Sequence, residues 1–122
     1  MSQLGSAPDG VNRGLYDTLV QAARRRDMLF YSTVGPMLRL NFESPADRNR
    51  IGLLLGEISR FEHANGRPFL SSIVWYKDMS SPGPGLYRLG IELGVVRGGE
   101  DELAFAIRQV NATHEFWSAH AG

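Results

Sequence analysis

The strongest constraint on this chain is one long helix with both of its ends written into the sequence, followed at once by an apolar strand. Ser44-Pro45-Ala46-Asp47 supplies an N-cap, a proline at the first helical position and a capping-box acid. Ile51, Leu54, Leu55, Ile58 and Phe61 then recur by threes and fours, which puts them on one buried stripe. Asn65-Gly66 offers a left-handed helix end, and Pro68 blocks continuation. Arg48, Asn49, Glu57 and Arg60 fall on the opposite, solvent-facing side. Beyond the stop, Ile73-Val74-Trp75-Tyr76 is β-branched and aromatic and predicts a half-buried strand. The loop after it, Met79–Tyr87, holds Pro82 and Pro84 to fix φ, and Gly83 and Gly85 to permit positive φ. A loop shaped in this way at a strand end is where function usually sits.

The flanking segments add mostly helix. Leu15, Leu19, Val20, Ala22 and Ala23 predict an amphipathic helix from Gly14 to about Asp27. Arg24-Arg25-Arg26 stands at its C-terminal end, where cations oppose the helix dipole. Leu29–Val34 begins as a short strand, after which Ser32 or Thr33 is expected to cap a brief turn, Val34–Leu38, with Pro36 in its first turn. Leu86, Leu89, Gly90 and Leu93 suggest a short helix that stops at Gly94. Gly98-Gly99 is a break, and Glu100-Asp101-Glu102 acidifies the start of a last helix carrying Leu103, Phe105, Ala106, Ile107, Val110, His114 and Trp117. The expectation is an α+β, mostly helical chain: a flexible leader over residues 1–13, then one winged-helix-like domain over 14–122 with an added C-terminal helix.

Composition removes several classes of function. A chain of 122 residues suits one domain with one core. Without cysteine there is no disulfide framework, thiolate metal site or cysteine nucleophile, which suits a cytoplasmic protein. No window approaches the roughly 18 apolar residues that span a bilayer, so no membrane partner is expected. His63, His114 and His120 lack metal-ligand spacing, and no Gly-x-Ser-x-Gly elbow or other catalytic constellation occurs. Gly83-Pro84-Gly85 is too short to cradle a phosphate, and Pro84 removes a donor. No cofactor, metal or catalytic residue is therefore assigned, which points away from an enzyme. Thirteen basic and thirteen acidic side chains cancel, but the N-terminal half is the more basic, leaving room for a positive face.

The order of helix, short strand, short helix, capped helix, strand and loop is that of a winged-helix domain, whose third helix enters the major groove. Met28–Leu40 resembles the start of the DNA-binding domain in alkyltransferase-like proteins and O6-alkylguanine-DNA alkyltransferases. Tyr31 and Leu38 fit that pattern, Ser32 replaces its usual glycine, Thr33 stands at its acid, and Arg48 resembles its helix-borne arginine. The chain departs from it at Arg67-Pro68-Phe69-Leu70, where the family's Pro-Cys-His-Arg motif should follow; alkyl transfer to the protein is thereby excluded. Gly66–Leu70, Ser71, Val74, Lys77-Asp78, Pro82-Gly83 and Gly85 also resemble a pattern in small bacterial proteins of no assigned activity, which implies nothing about chemistry.

These readings lead to a non-catalytic, double-stranded DNA-binding protein. Arg48 and Asn49 would face bases, while Arg24, Arg25, Arg26, Arg39, Lys77 and Arg88 would face phosphates. Pro82, Gly83, Pro84, Gly85 and Tyr87 would form the wing. The alternative is a protein-interaction module, a homodimer or accessory subunit, anchored by Phe105, Phe116 and Trp117. A small enzyme of unknown reaction is the third reading.

Overall fold

Asn12 opens the first helix, α1 (Arg13–Arg24), by accepting a hydrogen bond from the Leu15 N–H at 2.9 Å. The computed structural model describes residues 11–77 and 81–120. Val11 packs on the core and Arg13 is helical, so residues 11–13 belong to the fold; the rest of the expected leader lies outside the described residues. β1 (Leu29–Phe30) leads without a break into α2 (Tyr31–Met37), and α3 (Pro45–Ala64) follows a turn. A 3-10 turn (Leu70–Ile73), β2 (Val74–Trp75), α4 (Gly85–Glu92) and α5 (Glu102–Ala119) complete the order. The fold is mostly helical, with a small two-stranded sheet.

The sheet differs from expectation. β1 and β2 run parallel, pairing Leu29 with Val74 and Phe30 with Trp75. A wing is an antiparallel hairpin, and no antiparallel pair occurs among the described residues. The strand expected over Ile73–Tyr76 shrinks to two residues because side chains satisfy its approach. The Phe69 N–H donates to Gln109 Oε1 at 3.0 Å, the Phe69 carbonyl accepts from Thr113 Oγ1 at 3.0 Å, and the Ser71 N–H donates to Ser59 Oγ at 3.1 Å. With those backbone groups taken, the segment has no need of a ladder. It winds into the 3-10 turn at the centre of the molecule, touching α1, α3 and α5.

The capped helix holds as written, with one change at its entrance. Ser44 Oγ accepts from the Asp47 N–H, but the Asp47 carboxylate reaches further back, to the Asn41 N–H at 2.8 Å. Ile51, Leu55 and Ile58 are buried, while Leu54 and Phe61 pack partly buried against them. Glu62 is also fully buried. Gly66, at φ +72°, turns the chain so that Arg67 returns to Glu62 with an Nη2–Oε2 distance of 2.7 Å. Tyr16 donates to the same carboxylate at 3.0 Å. Burial opposes the charged Arg67 guanidinium, yet its bonds to Glu62 outweigh this and raise its pKa.

α2 begins at Tyr31, so Ser32 and Thr33 lie inside it rather than capping it, and Pro36 sits near its end. Phe105 and Trp117 are fully buried in the two core clusters, which corrects their assignment as surface anchors. Phe116 is half-buried, stacked on His120. Gly90 lets α4 settle on α5: a Cβ there would stand 2.5 Å from Phe105 Cζ. No helix among the described residues is long and apolar enough to cross a membrane.

Candidate nucleic-acid interface

α2 and α3 pack against each other across the turn at Leu38–Ser44, leaving the N-terminal half of α3 open to solvent on one side. That open side faces α4. Between them lies a cleft of about 490 Å³, with Arg48, Asn49, Gly52 and Gly56 on one wall and Gly85 and Arg88 on the other. Tyr31, Tyr76 and Pro82 close one end, and Ser71 lies among its lining residues. At the C-terminal ends of both helices, Arg60 and Glu92 form a two-pronged ion pair, one prong at 2.8 Å. Its hydrogen bonds depress the Glu92 pKa and raise that of Arg60.

Three of the residues expected to meet DNA therefore converge. Arg48 is half-buried, with its guanidinium 5.8 Å from the Phe42 ring centroid. Asn49 and Arg88 are exposed. Among the described residues neither Arg48 nor Arg88 forms an ion pair, whereas Arg25, Arg60, Arg67 and Arg108 each do. Arg48 donates only to the neutral Phe42 carbonyl, at 3.5 Å, and a cation without a carboxylate partner keeps its charge for an external anion.

The remaining predicted phosphate contacts lie elsewhere. Arg24 donates to the His120 carbonyl at 3.2 Å and lies over Trp117, and Arg25 pairs with Asp27. Arg26 and Arg39 are exposed in the turns after α1 and α2, both left-handed, at φ +58° and +59°. Lys77 is exposed just beyond β2. None of these five lines the cleft.

The expected wing is redistributed. Gly85 and Tyr87 are helical, since α4 starts directly behind Pro84. Tyr87 turns toward α5, donating to the Glu100 carbonyl at 3.0 Å and meeting Phe105 edge-on. Pro82 and Gly83 are buried, with Gly83 at φ +86°, and Met79 and Ser80 lie outside the described residues. Trp75 is also buried, its indole N–H donating to the Ser72 carbonyl at 2.7 Å.

Sequence reasoning passed over Gly52 and Gly56. A helix-interior glycine costs about 1 kcal/mol against alanine, and nothing within 4 Å would meet a Cβ at either position. Internal packing gives no reason for them. Their spacing of one helical turn on the solvent-facing side of a capped helix was the available signal. Leu53, at 63% exposure, stands beside them. Among the described residues no cluster of three or more His, Asp or Glu side chains is disposed to hold a metal ion. Comparison with protein-family models, curated proteins and solved structures finds no match to this chain.

Proposed function

We propose that this chain is a non-catalytic, double-stranded DNA-binding protein, with α3 as the reading helix. The observation that carries this reading is the convergence of Arg48, Asn49 and Arg88 on one cleft, with both arginines lacking an ion-pair partner among the described residues. α2 and α3 then act as the two helices of a helix–turn–helix, and the N-terminal turns of α3 approach base edges. The loop Ser81–Pro84 and the first turn of α4 would flank the reading helix in place of a wing. Arg88, Lys77 and Arg39 supply phosphate contacts, which fix position without reading sequence. Gly52 and Gly56 leave the α3 surface low, so a sugar-phosphate edge approaches its backbone closely.

Arg48→Ala is the test. An arginine reading a base contributes about 1–3 kcal/mol of discrimination. The variant should lose that preference between duplex sequences in a competition assay, and an unchanged preference would remove α3 from the reading role.

A second reading, a protein-interaction module, draws on Leu103 and Ile107. They lie one turn apart on α5 and are 53% and 48% exposed. A molar mass that rises with concentration in light scattering would favour it.

A further inference from the structure

Tyr31 joins two parts of the site that the sequence keeps far apart. It is the first residue of α2, and its hydroxyl donates to the Pro82 carbonyl at 2.9 Å. The contact is close on the neighbouring residue as well. A Cβ at Gly83 would stand 2.6 Å from the Tyr31 hydroxyl and 3.3 Å from Cζ, so the ring is seated where only glycine leaves room. The ring stacks on Tyr76 at 5.0 Å between centroids and on Phe42 at 6.0 Å. Tyr76 in turn donates its backbone N–H to the Ser81 carbonyl at 2.9 Å. The loop before α4 is thus gripped at Ser81, Pro82 and Gly83 by the Tyr31–Tyr76 pair. α4 begins at Gly85 with no side-chain cap of its own; Leu86 and Leu89 seat it on Phe105, and the grip fixes the loop at its entrance.

We infer that Tyr31 is a positioning residue: through Pro82 and Gly83 it holds the Arg88 end of α4 at the spacing from α3 that the bound DNA requires. The tyrosine touches the loop, and its effect on the ligand passes through Arg88. Burial raises its pKa above the ordinary tyrosine value. Losing this single hydroxyl-to-carbonyl bond loosens the loop without unfolding the chain.

For its consequence the inference rests on the DNA-binding reading; for the grip itself it does not. The first measurement is therefore amide hydrogen exchange on the free chain. Tyr31→Phe should exchange several-fold faster than wild type at Tyr76, Gly83 and Arg88, whose N–H groups bond to Ser81 and Pro84, with α1 and α5 unchanged. Equal exchange at those amides would overturn the inference even if the chain binds DNA. The second is a double-mutant cycle on duplex affinity. Tyr31→Phe should weaken binding about threefold in the wild-type and Arg39→Ala backgrounds and have no effect in Arg88→Ala. The same loss in all three would show a general structural effect, and would overturn the route through Arg88. If no duplex binds the wild-type chain, the reading in the previous subsection fails, and the exchange result alone decides the grip.

Discussion

At the scale of single residues, the arginines divide into those spent on the fold and those that are not. Arg67 is spent on Glu62, and Arg108 on Glu100, where two bonds at 2.8 Å join the side chains. The Arg108 hydrogen bonds first, and the Arg97 backbone N–H second, hold the Glu100 carboxyl down at about 2, against an ordinary 4.5. A carboxyl depressed in the folded state stabilises fully above its unfolded pKa and loses that contribution as pH falls through the folded one. Glu100→Gln should therefore flatten the fall in melting temperature between about pH 4.5 and pH 2 relative to wild type; parallel curves would contradict the assignment. Arg39 belongs to the other group. Its left-handed backbone costs about 1–2 kcal/mol in a non-glycine residue. Arg39→Gly should then lose no stability in urea unfolding, although it deletes a whole side chain, and should weaken DNA binding at low salt. Stability lost together with affinity would mean that the side chain serves the fold. The sequence showed these arginines as one pool of positive charge. Their separation depends on which carboxylates the chain returns to them: Gly66 turns Arg67 back onto Glu62, a contact that no helical stripe predicts.

At the scale of elements, what the sequence made legible was whatever local chemistry decides. The bounds of α3 follow from Ser44, Pro45, Asn65 and Gly66, the end of α4 from Gly94 and the start of α5 from the acidic run at Asp101, while the first turn of α4 was assigned to the wing loop. The strand was misjudged because β-branched residues prefer a sheet only when a partner strand is there. β1 offers two residues, and Gln109, Thr113 and Ser59 satisfy the preceding backbone from distant helices. Phe105 and Trp117 were misplaced for a related reason. Amphipathic spacing says which residues share a face, and the packing of α1, α4 and the 3-10 turn decides that this face is covered. α3 itself carries a testable cost. Gly52→Ala and Gly56→Ala meet no atom within 4 Å, so each should stabilise the chain by about 0.5–1 kcal/mol in chemical unfolding. On the DNA-binding reading each should also weaken the complex, because a methyl group lifts the ligand from the helix surface. Gains in stability with undiminished binding would remove this face of α3 from the interface.

At the scale of the whole molecule, a chain with no net charge binds a polyanion only if its cations are sorted in space. The fold does part of that sorting: ion pairs neutralise the arginines at 25, 60, 67 and 108, and of the cations without one among the described residues Arg48 and Arg88 stand on opposite walls of one cleft. The convergence of α3 and α4 was not legible in the sequence, because it rests on residues far apart in the chain, Arg60 with Glu92 and Tyr31 with Pro82. The most direct measurement is the anisotropy of labelled duplex DNA titrated with the chain across a series of salt concentrations, for wild type and Arg88→Ala. Each phosphate neutralised contributes about −0.9 to the slope of log K against log salt. Wild type should show a linear fall, and the variant a slope shallower by about 1. No binding at the lowest salt, or identical slopes for the two proteins, would contradict the DNA-binding reading.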